Sequence, residues 1–177
     1  MRQDNTSTLE QLLAKDAIRE LALLYCRGVD RKDPALLRDL YTADAVDTHG
    51  DTYDGSASGY VDFLEQAFPF MHYSGHHVCN HLISLNGPDT GDGEVYAVAY
   101  HVLPDGNGGW IEDFMCVRYL DHYRKCTDGL WRFAKRLVTY DFHKQQPSTG
   151  VVREGAEPSY TMHMSSLFKK GARTNGQ

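Results

Sequence analysis

An acid, a phenol and a run of imidazoles carry the chemistry this chain has to offer. Asp30 closes the segment AIRELALLYCRGVD, and Tyr25 stands five residues before it. Five of the nine histidines fall between His72 and His101. An aspartate facing a histidine makes a proton-transfer dyad, because the carboxylate fixes the imidazole tautomer and stabilises the imidazolium. His77 is the imidazole assigned here to Asp30. In an extended strand His77, Cys79 and His81 share one face and His76 points to the other. His76 beside His77 leaves that register open by one residue. The same histidines invite a metal, with Asp30 or His101 as a further ligand. The ligand spacing of known motifs is missing, so no metal is expected. The chain has no nucleophile elbow, no Walker loop and no GxGxxG, so proton transfer is the chemistry this inventory best supports.

These groups need a scaffold. Leu12, Leu13, Ile18, Leu21 and Leu24 recur at helical spacing and predict a helix over about 9–29, with Thr8 and Gln11 as its capping box. Asp30 would then sit at the negative end of the helix dipole, which raises its proton affinity. Asp33-Pro34 starts a second, short helix over 35–41. Residues 43–49 have strand character, with a Gly50-Asp51 turn back into Thr52-Tyr53, and 60–70 reads as a third helix. From His76 the period changes to two. Strands are expected over 76–85, 95–103, 110–123 and 130–143, punctuated by GPDTGDG, PDGNGG and CTDG. Such short connections make antiparallel neighbours. The expected class is α+β, a curved and mostly antiparallel sheet wrapped around N-terminal helices. Residues 1–143 form the domain. Residues 144–177 form an arm, with an amphipathic patch from Tyr160 to Phe168, that covers the pocket or a neighbouring subunit.

Composition narrows the partners. At 177 residues the chain can bury a core without disulfides, and its four cysteines read as free thiols. A formal charge of −6 gives no footprint for nucleic acid. No apolar run approaches the ~20 residues of a membrane span, and MRQDNTST lacks a signal-peptide core, so a cytoplasmic protein is expected. Phe63, Phe68, Phe70, Met71, Trp110, Phe114 and Met115 are candidate walls for an apolar cavity that takes a small hydrophobic or aromatic molecule.

The stretches AIRELALLYCRGVDRKDPALLRDLYTADAV, GDTYDG, HHVCNHLISLNG, VRYLDHY and DGLWRFAKRLVTYD resemble the SnoaL-like branch of the nuclear-transport-factor-like (NTF2-like, cystatin-like cone) superfamily. The resemblance covers about 9–142. The branch holds scytalone dehydratase, hexachlorocyclohexane dehydrochlorinase and bile-acid dehydratases. Formaldehyde-releasing diarylpropane lyases belong to the superfamily. The resemblance implies an Asp–His pair working without cofactor in the mouth of the cone. It places the acid at Asp30, the histidine at His77 and a phenol at Tyr25. Tyr53, His101 and Arg136 become substrate-binding residues. The implied reaction is dehydration, another elimination, or a deformylating C–C cleavage on a hydroxylated aromatic, lignin-derived, polyketide or steroid-like molecule. His77 would take the proton, Tyr25 or Tyr53 would act on the leaving oxygen, and Arg136 or His101 would orient the substrate. The alternatives are a ketosteroid-isomerase-like isomerase or cyclase, and a non-catalytic small subunit of a ring-hydroxylating dioxygenase. A homodimer or homotrimer is implied as well. The tail has no counterpart in the family pattern.

Overall fold

The computed structural model describes residues 5–150, 152 and 170–173. Helix α1 spans Asn5–Asp30. It buries Ile18, Leu21, Ala22, Tyr25, Cys26 and Val29, a stripe at helical spacing, and packs along strand β3, Tyr73–Leu85. Leu12 and Leu13, expected on that stripe, stand exposed because the buried face begins only at Ile18. Thr8 lies inside the helix rather than at its cap.

Local chemistry then sets each turn. Lys32 adopts φ 52° between the helices, and its ammonium donates to the Met71 carbonyl at 2.6 Å. Asp33 caps helix α2, Pro34–Asp39, by accepting from the Leu36 amide, and Pro34 opens the helix where no amide hydrogen is needed. Strand β1, Tyr41–His49, turns into the short β2, Tyr53–Ser56. Ser56 caps helix α3, Ala57–Ala67, through the Gly59 amide, so the helix starts earlier than the expected residue 60. A 3₁₀ turn over Phe68–Phe70 leads into β3.

Strands β4 (Thr90–Pro104), β5 (Trp110–Lys125) and β6 (Trp131–Pro147) complete an antiparallel meander with β3. Strand β1 joins β6 in parallel, giving one open, curved sheet ordered β2-β1-β6-β5-β4-β3. This is the α+β architecture expected from the sequence. The core fills the space between α1, α3 and the inner sheet face. Among the described residues no helix is long and apolar enough to cross a membrane.

Strand β6 runs through the expected domain boundary to Pro147. The patch from Tyr160 to Phe168 lies outside the described residues. Residues 170–173 meet α2: the Gly171 amide donates to Asp33, and Arg173 pairs with Asp39 at 2.8 Å. Neither aspartate lines the cavity described next.

Candidate active site

The curvature of the sheet encloses a cavity of about 240 Å³ between its inner face, α1 and α3. Val29, Leu64, Ala99, Met115, Val117 and Val138 belong to its apolar wall. Its polar groups come from strands across the sheet and from α1 and α3.

Asp30 and His76 form the pair on the β3 side. His76 Nδ1 lies 2.6 Å from Asp30 Oδ1. The His76 amide donates to Asp30 Oδ2 at 2.9 Å, and the Ser74 hydroxyl donates to Oδ1 at 3.0 Å. Burial pushes the Asp30 carboxyl up, but these donors outweigh it and hold the carboxyl below its ordinary range. Asp30 is therefore a standing carboxylate, contrary to the raised proton affinity expected from the helix dipole. Three hydrogen bonds aimed at the oxygens act at shorter range than the helix end. With Nδ1 donating to Asp30, Nε2 is left as the acceptor nitrogen of His76.

The imidazole in contact with Asp30 is thus His76, not His77. The reason is strand parity. His76 pairs in register with Ala99, and Ala99 with Met115, both on the cavity wall. His77 falls in the outer row with Val98, Cys116 and Phe142, and it is exposed. A bulge between Val78 and Asn80 then resets the parity, so His81 turns inward and meets the Tyr123 hydroxyl at 3.1 Å. His77, Cys79 and His81 therefore do not share a face.

His101 follows Ser74 in register on β4 and lines the cavity. Its ring centroid lies 5.3 Å from that of His76, and its buried Nε2 has no hydrogen-bond partner. Burial holds it neutral, with a pKa lowered to about 4. Between about pH 4 and the ordinary 6.5 the unfolded chain binds this proton and the folded chain does not. Stability should then be complete at pH 7 and fall as pH drops through that window, by up to ~1.4 kcal/mol per pH unit for one group. His49 and His81, also lowered by burial, add to the same slope. Urea melts from pH 7 to pH 4.5 should show the decline, and His101→Leu should make it shallower. An unchanged slope in that variant would contradict the assignment.

Tyr25 is buried and lines the cavity, and burial raises its pKa well above the ordinary phenol value. Tyr53 does not reach the cavity. Its hydroxyl donates to the Ser56 carbonyl at 2.8 Å, and its ring backs Tyr60 and Phe63. Arg136 is fully buried but lies behind the wall. It grips Asp121 through two 2.7 Å hydrogen bonds and sits over the rings of Tyr25, Tyr119 and Phe133 at 4.0–4.4 Å. Burial opposes its charge, but Asp121 holds it protonated. Nε and Nη2 are taken by Asp121, and Nη1 is buried without a hydrogen-bond partner. Arg136 does not line the cavity, so it braces Tyr25 from behind the wall instead of orienting a substrate. Of the expected aromatic wall, Phe63, Met71 and Met115 face the cavity. Phe114 packs with Tyr100 and Phe142 on the outer sheet face, Trp110 stacks on His72, and Phe70 is exposed.

Four residues that sequence reasoning passed over also belong here. His49 lines the cavity from β1, with Asp47 Oδ1 at 2.7 Å from its Nδ1 and the Tyr60 hydroxyl at 3.0 Å from its Nε2. The available signal was the i, i+2 spacing of Asp47 and His49, which puts both on one strand face. Asp113 lines the cavity and holds His143 and Gln145. Among the described residues no group of three or more His, Cys, Asp or Glu is arranged to hold a metal ion.

The architecture recurs in solved structures. A candidate scytalone dehydratase of Novosphingobium aromaticivorans DSM 12444 superposes with a TM-score of 0.69 at 20% identity, over 82% of this chain and 93% of that one. A type 2 hexachlorocyclohexane dehydrochlorinase gives 0.71 at 21% identity, over 84% and 98%. The type 3 enzyme of Novosphingobium barchaimii LL02 gives 0.69 at 21% identity, over 81% and 96%. At these identities the likeness is one of fold. No curated protein matches the chain by sequence. The SnoaL-like domain matches residues 10–137, which span both the helices and the sheet that enclose the cavity, and the chain belongs to that family.

Proposed function

We propose that the protein is a cofactor-independent lyase that eliminates water, or a comparable small leaving group, from a neutral hydroxylated aromatic or polycyclic molecule. The observation that carries this reading is the carboxylate-backed imidazole of His76 on the wall of a largely apolar cavity. Nε2 of His76 takes a proton from carbon or from a hydroxyl, and Asp30 stabilises the imidazolium that results. The proton then passes to the leaving group or to the product, so the pair ends as it began. His101 hydrogen-bonds a substrate oxygen near His76, and Tyr25 holds the ring system from the helix side. Among the described residues no lysine or arginine lines the cavity. A carboxylate or phosphate substrate would therefore lose its hydration there without gaining a cation, which favours uncharged substrates.

A positioned base of this kind contributes about 10²–10⁴-fold. That suffices where the substrate itself acidifies the C–H bond or carries a good leaving group, as hydroxyaryl compounds do. The test is a screen without added cofactor against hydroxyaryl compounds bearing a β-hydroxyl, a hydroxymethyl or a β-halogen. Product masses lower by water, formaldehyde or hydrogen halide support the lyase. A product of unchanged mass assigns an isomerase to the same pair. Turnover only with added nicotinamide, flavin or metal, or no turnover at all, defeats both readings. Exposed Leu82, Leu120 and Phe142 on the outer sheet face favour self-association through that face. A monomer by light scattering at micromolar concentration would count against it.

A further inference from the structure

The cavity holds a second carboxylate-backed imidazole that the reaction above does not use. His49 comes from β1 and His76 from β3, with β6, β5 and β4 between them in the sheet. Asp47 is fully buried and accepts from two groups, the Tyr41 hydroxyl at 2.7 Å and His49 Nδ1 at 2.7 Å. That donation fixes the tautomer of His49 and leaves Nε2 as an acceptor. The Tyr60 hydroxyl, 3.0 Å away, donates to Nε2. The Tyr25 hydroxyl lies 3.2 Å from that of Tyr60 and 3.4 Å from Nε2. The Tyr60 ring also stacks on the His49 ring, with centroids 4.3 Å apart. Every hydrogen in the series Tyr25, Tyr60, His49 thus points toward Asp47. What the series offers the cavity is oxygen lone pairs.

We propose that Asp47, His49, Tyr60 and Tyr25 form a hydrogen-bond-accepting chain that selects a substrate carrying a phenolic or enolic hydroxyl, bound on the β1 side of the cavity while the reacting carbon faces His76. The inference rests on the cavity of the lyase reading and narrows its substrate to molecules with a donor hydroxyl at the end remote from the bond that breaks. A ketone or an aryl methyl ether at that end would leave the tyrosine lone pairs in a dry wall with no donor, and buried polar groups without partners are costly. Burial supports the direction of the chain. It holds His49 neutral and keeps Tyr25 and Tyr60 from ionising, so these three links keep the hydrogens that donate toward Asp47.

The probe pair is 4-nitrophenol and 4-nitroanisole, which differ by one methyl group. Isothermal titration of the full chain, at a pH where 4-nitrophenol is mostly protonated, should show the phenol binding at least about tenfold tighter. His49→Phe keeps a ring to stack on Tyr60 and removes the acceptor, and the preference should fall below about threefold. Because that variant strands Asp47, Tyr60→Phe is run beside it. It leaves the Asp47–His49 pair intact, and it should lose the preference as well. A wild-type protein that binds the two probes equally, or binds neither, overturns the inference, as does a folded Tyr60→Phe variant that keeps the full preference. His76→Ala separates this from the lyase reading. If the lyase reading alone is wrong, no elimination is found, yet the phenol preference persists in wild type and in His76→Ala.

Discussion

Replacing His76 with alanine should lower the rate of proton abstraction by about 10²–10⁴-fold, and replacing His77 should leave it within about twofold of wild type. A suitable probe is 5-nitrobenzisoxazole, a flat neutral molecule. A base removes its ring C–H, the N–O bond breaks, and a coloured cyanophenolate forms. The two neighbouring histidines are told apart by geometry alone: His76 touches Asp30 at 2.6 Å on the inner face, and His77 lies exposed on the outer row. Asp30→Asn should also slow the reaction, because an amide no longer fixes the His76 tautomer or stabilises the imidazolium. Its amide still fills the space before the Ser74 hydroxyl and the His76 amide, so the fold is expected to survive. A His76→Ala variant as fast as wild type, or a His77→Ala variant as slow as His76→Ala, would remove the base from the proposed mechanism.

The largest expected loss of stability comes from Arg136→Met. Arg136 and Asp121 are both fully buried as side chains, and the pair is bidentate. Removing the guanidinium leaves the Asp121 carboxylate with the Tyr123 hydroxyl as its remaining donor, at 2.9 Å. Breaking a buried pair from one side costs roughly 3–5 kcal/mol, a large part of the ~5–15 kcal/mol that holds a domain folded. The variant also strips the cation from the rings of Tyr25, Tyr119 and Phe133 and so loosens the Tyr25 end of the cavity. Replacing both partners, as Arg136→Met with Asp121→Leu, should recover most of the loss, since no charge is then left unpaired. Urea denaturation measures both. A single variant that loses under about 1 kcal/mol would mean that water reaches Asp121.

Several parts of this protein were legible from the chain alone. Asp33-Pro34 begins α2, and the Gly/Asp turns separate long strands that pair as antiparallel neighbours. These signals are local: a cap, a fixed φ and a two-residue period act within a few positions. Asp30 and Tyr25 were also legible, because their helix has a readable apolar stripe and both lie at its buried end.

The tertiary structure alone chose between His76 and His77. Histidines occupy both parities of SGHHVCN, so alternation names no inward face, and only the pairing of β3 with β4 does. The bulge at Val78–Asn80 reverses the answer farther along, where Leu82 and Ile83 are apolar on both faces. The family resemblance made Arg136 a substrate-binding residue, but its duty depends on Asp121 across a strand pair, which a motif cannot report. Asp47 and His49 were visible only as the end of a strand. Their meaning came from Tyr60 on α3 and Tyr25 on α1, two helices that the folded sheet brings to one wall. Sequence determined which segments form and which residue types were present. Packing across elements far apart in the chain decided which of those residues face one another, because that contact is made by the curvature and register of the sheet and by no single segment.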